Sequence, residues 1–562
     1  MSFLKIKYSS RLLLASVLSG ILLLAIACGS DTAPAPAPAP YVAPTAVPAI
    51  APTAVPVATS KPKTVPSTSG PQKGGILRFA ARPLAELKTF DGHYRSMFGE
   101  YHTNYLLYDN LVRLDANGNI NPGLASSWNI SADGKSVDFS LVKGAKFQDG
   151  SDFNAQAVKY NMDRLMDPEV QSPGRAGVSA ISSVTVVDDD TVRFNLSNPF
   201  RPLLAQLTLQ AGWISSPTAV EKYNAYSNRN SDYGKNPAGT GPFLLTTWEP
   251  GQRVTFERNP NYWGEGLPYL DGVDFIGAAN EVKMAMIRTD EADLMELSPW
   301  AMRELKKVEG NPNVKVILLP SGRHHYVEVD SNWGALADKK VRQAMGWGID
   351  RETAVDIVFD GKGTPAYGPE NIGWWAYDID EMKKIMDYDP SKAKELLAEA
   401  GHANGLTLPM WCRGDGEAEK SFCEIWQAMM REIGITLELK MLPYAEIKVA
   451  RAEGLVHMES FWFTPRGDIH GRFAAQYHST GWGNFHKYKN LEVDALLDEA
   501  STIFDVAKAG NMYRDIQKIV VSDAPRLFTA HPDAAVVTTS RVQGFEYASD
   551  MILRMQDIWV NK

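Results

Sequence analysis

The chain has 562 residues, enough for two to four domains at roughly 100–200 residues each, and with 44% hydrophobic and 22% charged residues most of it can fold around sizeable cores. Lys and Arg total 57 against 66 Asp and Glu, a formal net charge of −9, which argues against nucleic acid as the main partner. Three cysteines exclude a disulfide-dense scaffold and a Cys-rich metal cluster.

In chain order, the first signal is an address. Lys5, Lys7 and Arg11 precede an apolar run from Leu12 to Ala27, too short and wrongly flanked for a spanning helix, so residues 1–27 read as a secretory signal. The run ends Leu24-Ala25-Ile26-Ala27-Cys28, and small residues before a cysteine resemble the lipobox of bacterial lipoproteins. That resemblance implies Cys28 as the lipidated first residue of the mature chain. Residues 28–73 then form a linker: Asp31 to Gln72 repeats Ala-Pro and Ala-Pro-Thr-Ala-Val-Pro, which cannot bury a core and favours polyproline II. At ~3.1 Å per residue it reaches on the order of 130 Å. A lipid would hold one end at the membrane while a semi-rigid arm lifts the body away.

In the body, Gly75 to Ala80 reads as a buried strand. Trp128 to Ser131 and the alternating Val137, Phe139 and Leu141 flank Ala132-Asp133-Gly134 as a hairpin. A second hairpin joins Val184–Val186 to Val192–Leu196 through Asp188-Asp189-Asp190, a solvated turn rather than a cation site. Asn154 caps a predicted helix from Ala155 to Met166, halted before Pro168. Further on, Val341 to about Gly348 is helical. Asp389-Pro390 opens a helix closed by Gly401. Leu406–Trp411 is a strand, Phe422–Ile433 a helix and Ile435–Leu439 a strand. This β-α-β alternation predicts an α/β fold with a mostly parallel sheet.

An ordered set of short segments carries a resemblance. They are Leu107-Tyr108-Asp109-Asn110-Leu111-Val112, Phe147-Gln148-Asp149-Gly150, Gly239-Thr240-Gly241-Pro242-Phe243, Asn259-Pro260-Asn261-Tyr262-Trp263, Val341-Arg342-Gln343-Ala344 with Ile349-Asp350-Arg351-Glu352, and Tyr388-Asp389-Pro390. From about Gly75 onward the chain resembles the extracytoplasmic solute-binding proteins of dipeptide, oligopeptide and nickel ABC transporters (family 5). The resemblance implies a two-lobed periplasmic-binding-protein fold with hinge strands. Lobe I would span 74–325 with an extra subdomain at about 116–238, lobe II 326–531, and residues 532–562 would return to lobe I. The hinge crossings are expected near Arg323–Val329 and Thr529–Val537, with His324-His325 as a strand pair beside them.

The resemblance also implies sites. Asp468, after Phe461-Trp462-Phe463-Thr464-Pro465-Arg466-Gly467, matches an Asp that holds a peptide α-ammonium in relatives, a task suited to an acceptor-only carboxylate. Gly471 and Arg472 stand where relatives continue with Asp and Pro, and a loop-capping role or a partner role to Arg466 or Arg472 is the alternative. Trp462, Phe463, Trp374 and Trp375 are expected as aromatic cleft walls, with Arg466 nearby. Arg413, after a strand end, is a candidate fork for a ligand carboxylate, with a surface salt bridge as the alternative. His457, His470, His478 and His486 cluster in sequence but lack metal spacing, so no metal or cofactor is expected. After lipidation of Cys28, Cys412 and Cys423 remain, and an even remainder in an oxidising compartment favours a disulfide between them.

No Gly-x-Ser-x-Gly elbow, His-Glu-x-x-His or Walker loop occurs in the chain, so no enzyme is expected. The expected function is capture of a small solute, a di- or oligopeptide, by an extracytoplasmic, lipid-anchored monomer that delivers it to an ABC permease with ATPase subunits. A sugar, an oligosaccharide, a metal chelate or a sensing role is the alternative.

Overall fold

Period-two alternation shows directly in the first hairpins. Strand Ser136–Leu141 buries Val137, Phe139 and Leu141, and strand Thr191–Leu196 buries Val192, Phe194 and Leu196. With Ala125–Ile130 and Ile181–Asp188 they form a four-stranded antiparallel sheet, and Asp189-Asp190 is the turn. Helix Ala155–Met166 packs on this sheet. Asn154 caps it, its side-chain oxygen accepting from the Ala157 N–H at 3.0 Å. These elements share a core of their own.

The computed structural model describes residues 70–561 apart from 83, 85–86, 95–97, 116–117, 371–375, 415, 464–467 and 546–551. All of them belong to one unit, Ala54–Lys562. The signal segment, Cys28 and nearly all of the linker lie outside the described residues. Among the described residues no helix is long and apolar enough to cross a membrane.

A larger sheet organises the rest. Its strands are β1 (Ile76–Ala81), β2 (Phe243–Glu249), β3 (Arg253–Arg258), β4 (Gly272–Gly277), β5 (Leu294–Leu297), β6 (Val314–Pro320), β7 (His324–Val329), β8 (Gly363–Pro365), β9 (Leu406–Arg413), β10 (Ile435–Leu442), β11 (Met458–Phe463) and β12 (Arg526–Thr539). The order is β10-β9-β11-β7-β12-β5-β1-β4-β3-β2, with β6 and β8 also on β12. The sheet is mixed, which corrects the expectation of a mostly parallel one. Only β1–β4, β1–β5, β9–β10 and β9–β11 run parallel. Short connections such as β2 to β3 permit only antiparallel pairing, and the long return strand β12 runs against β5, β6, β7 and β8.

β12 belongs to two cores. Its first part, Arg526 to Ala530, pairs with β7, while Asp533 to Thr539 pairs with β6. Lobe II gathers buried side chains from Tyr326 to Ala530. Lobe I gathers β1, β4 and the C-terminal Val542, Ile552, Leu553 and Val560. Between the lobes the β6–β7 connection Ser321–Arg323 runs beside His531-Pro532. The Ser321 hydroxyl donates to the Pro532 carbonyl, and the His531 Nδ1 lies 3.2 Å from the Arg323 carbonyl oxygen. His324 and His325 are fully buried, and burial pushes the His325 imidazole down to about 3, so it fills space as a neutral ring.

Several of the ordered segments meet in space. Asp109 accepts from Arg113 at 2.6 Å, from the Trp263 indole N–H at 2.6 Å and from the Tyr262 hydroxyl at 3.2 Å. Gly239 and Gly241 pack on the Leu107 carbonyl so closely that a Cβ would collide with it. Arg351 spends its guanidinium on the carbonyls of Ala366, Phe528, Ile349 and Gly346, and burial pushes it down to about 10. These residues frame the lobes rather than line the space between them.

Candidate functional site

Five helices deliver side chains to the space between the lobes or brace it: α1 (Phe98–Leu107), α2 (Asn280–Arg288), α3 (Glu417–Glu432), α4 (Ile469–Tyr477) and α5 (Val506–Asp523). The space is a cavity of about 1330 Å³. It exceeds the roughly 300–1,000 Å³ common for small-molecule sites, leaving room for a tripeptide with its hydrating waters. Lobe I contributes Arg82 after β1, His102 on α1, Lys283 on α2 and Glu296 in β5. Lobe II contributes Arg413, Tyr444, Trp462, Phe463, Arg472 and Trp482.

The wall of lobe II is aromatic and cationic together. The Arg413 guanidinium lies 4.6 Å from the Tyr444 ring centre and 5.8 Å from that of Trp462, while Arg323, from the β6–β7 connection, lies 5.7 Å from Trp462. β9 runs to Arg413, two residues beyond the strand expected from sequence, and this extension carries the guanidinium to the cavity. Cys412 is joined to Cys423 of α3, with Cα atoms 6.4 Å apart, so the residue before Arg413 is tied to the helix behind it. Trp482 is 70% exposed at the rim, its ring 6.1 Å from Phe463.

Trp462, Phe463 and Arg413 thus meet at one wall. Trp374, Trp375 and Arg466 lie outside the described residues. Asp468 has partners within the protein. Its Oδ1 accepts from the Gly471 N–H at 3.0 Å as the N-cap of α4. Its Oδ2 lies 3.4 Å from Arg201 of the subdomain. An amine at Asp468 would therefore share the carboxylate with Arg201. The Arg201 N–H also donates to the Ser501 carbonyl at 2.8 Å, and Gly471 sits so close to Gln206 that a Cβ would fall 2.8 Å from its amide nitrogen. Elsewhere between the lobes Lys306 meets Asp360 at 2.8 Å and Arg303 donates to the Ile357 carbonyl at 2.7 Å. The lobes touch at both places.

The four histidines are dispersed among separate partners. His457 stacks on Trp333 at 4.4 Å and contacts Asp330 at 3.0 Å. His470 lines the cavity beside Phe200. His478 bonds Thr480. His486 lies between Glu328 and Glu459, at 3.7 and 3.9 Å. Among the described residues this last trio has the spacing of metal ligands. Its carboxylates, however, already hold Arg526 at 2.9 Å and Arg451 at 2.7 Å, and two guanidiniums disfavour a divalent cation there.

Sequence reasoning missed Arg82, His102, Lys283 and Glu296. One signal was present: Lys283 falls at the i position of Met286 and Ile287, on the apolar face of an amphipathic helix, where a charge is out of place without a function or a partner.

Two lobes joined by adjacent connections and enclosing a largely apolar, aromatic-walled cavity with charged groups set into it define a protein built to hold a small solute. The family of bacterial extracellular solute-binding proteins, family 5, matches residues 119–484, and the chain belongs to it. It is 31% identical over 432 residues to the glutathione-binding protein GsiB of Shigella flexneri serotype 5b, covering 74% of this chain and 82% of that one. Among solved structures it is similar to the ABC transporter substrate-binding protein CtaP of Listeria monocytogenes, with TM-score 0.77, 23% identity, and coverage of 87% of this chain and 100% of that one. It is also similar to the periplasmic binding protein DppA of Helicobacter pylori in complex with the peptide STSA, with TM-score 0.74, 25% identity, and coverage of 87% and 99%. The chain is an extracytoplasmic solute-binding protein of an ABC importer and not an enzyme.

Proposed function

We propose that the protein captures a small anionic, peptide-like solute between its lobes and hands it to an ABC permease. The observation that carries this reading is the charge of the cavity. Arg82, Lys283, Arg323, Arg413 and Arg472 line it against Glu296 and Asp498. Arg472 is neutralised by Glu370 at 2.8 Å, both side chains fully buried. Among the described residues the cationic side chains lining the cavity outnumber the carboxylates, and a positive field there attracts carboxylates. Glutathione, the ligand named for the Shigella relative, carries two carboxylates and one ammonium and fits the volume.

The aromatic wall adds burial for the ligand's apolar parts without fixing their identity. Closure around the ligand would be a hinge motion at Ser321–Arg323 and His531-Pro532, biased by contacts that exist only when the lobes meet. Lipidation at Cys28 and the Ala/Pro arm would keep the body near the permease.

Titration calorimetry with glutathione, a panel of α-linked di- and tripeptides and uncharged oligosaccharides tests the reading. Binding of glutathione or acidic peptides is expected, with a smaller radius of gyration in X-ray scattering once ligand is added. Binding of a neutral sugar with no binding of any anionic peptide would refute it.

A further inference from the structure

Lys283 is 2% exposed, yet its chain ends at the cavity. Its ammonium donates to the Glu296 carbonyl oxygen at 2.9 Å, and among the described residues no carboxylate lies within ion-pair distance of it. The neighbours are charged on every side: Arg82 after β1, Glu296 in β5, Glu281 on its own helix and, beyond Glu296, His102 on α1. The Glu296 carboxylate does not neutralise Lys283 by contact, because it faces the His102 Nε2 at 3.1 Å. A buried ammonium normally finds an anion or gives up its proton. Here burial first, then the Arg82 charge, pushes Lys283 down to about 8, and Glu296 and Glu281 only partly offset this. The Glu296 carboxyl is raised by burial, but His102, Arg82 and Arg323 hold it below the usual carboxylate range, so it is anionic and engaged. A buried ammonium and the exposed guanidinium of Arg82 thus stand on one wall of the cavity, an arrangement that favours an anion between them.

We propose that Lys283 and Arg82 form an anion subsite on the wall of lobe I, so that the ligand carries two anionic groups, one for this pair and one for Arg413 in lobe II. This rests on the reading of the solute as anionic and narrows it to one whose two anionic groups bridge the lobes. Either anion is a carboxylate or another oxyanion of similar size. A ligand that bridges the lobes through two charges also stabilises the closed state, since only one of the charges keeps its partner when the lobes part.

The test is calorimetry at pH 8 in buffers of different ionisation enthalpy, with glutathione, its glycine ethyl ester and citrate as probes. Binding of glutathione to the wild type is expected to take up a fraction of a proton, because an anion beside Lys283 raises its pKa. Lys283→Gln should abolish that uptake and weaken glutathione at least tenfold. Lys283→Arg should keep most of the affinity and lose the uptake, which separates charge from packing. Arg413→Gln should weaken glutathione and keep the uptake. Esterification should remove the dependence on one of the two sites and leave the other. Wild-type affinity or undiminished uptake in Lys283→Gln overturns the subsite. If citrate binds with Lys283-dependent uptake and glutathione does not bind, the subsite stands and the peptide-like reading falls. If neither citrate nor glutathione gives Lys283-dependent uptake, the subsite is overturned.

Discussion

Asp468 separates two readings that sequence leaves open, and replacing it with Asn distinguishes them. Asn caps helices as well as Asp, so Asp468→Asn keeps the bond to the Gly471 N–H and removes only the charge facing Arg201. At 3.4 Å the gross attraction is about 5 kcal/mol for an effective dielectric near 20. Both side chains retain some solvent contact, at 14% and 17% exposure, so screening and the entropy of fixing two side chains return most of it. A net of about 1 kcal/mol remains. Arg201 belongs to the subdomain and Asp468 to lobe II, so this term exists only while the lobes meet. Its loss should weaken every ligand by about fivefold, whatever the ligand's chemistry. The assay is calorimetry with an acidic peptide and its N-acetylated form on wild type and Asp468→Asn. Equal losses for both forms are expected. A loss of 2–4 kcal/mol for the free amine alone, the range for removing one partner of a buried charge pair, would show that Asp468 holds an amine and refute the interlobe role.

Other outcomes follow from the same physics. Cys412 and Cys423 are separated by 11 residues, so replacing both by serine should cost about 3 kcal/mol of stability in denaturant unfolding, and non-reducing peptide mapping should find them linked. Lobe II should lose thermal stability at both ends of the pH range. Burial alone would lower the His486 imidazole, but Glu328 and Glu459 raise it above its ordinary value; its contribution is therefore present below about pH 6.5 and fades as pH rises through the folded value. Burial alone would raise Glu328, but Arg526 and His486 bring it down to about 2; its contribution is present above about pH 4.5 and fades as pH falls toward 2. In His486→Gln, melting temperature should no longer decline on the alkaline side. Cys28→Ser should move the protein from the membrane fraction to the soluble fraction, and continued membrane association would remove the lipid anchor.

The sequence by itself determined what depends on near neighbours. Alternation in Val137–Phe139–Leu141 specifies a half-buried strand, and Asn154 and Asp389 announce helix starts, because a cap bonds two or three residues ahead along the same chain. The aromatic run Phe461–Phe463 was legible as a site candidate through its resemblance to relatives, and Arg413 through its place at the end of a strand. Only the tertiary structure decided the partners. Asp468 meets Arg201 across 267 residues, and no local signal pairs them. Arg82, His102 and Lys283 share a wall because β1 lies between β4 and β5 and α2 packs beneath it. The mixed direction of the sheet has the same origin: β12 closes the sheet from the far end of the chain, and its antiparallel course depends on where the two lobes leave room for a returning strand. Hydrogen bonds between sequence neighbours are fixed by backbone geometry alone, whereas contacts across hundreds of residues depend on strand register and on packing summed over the whole fold.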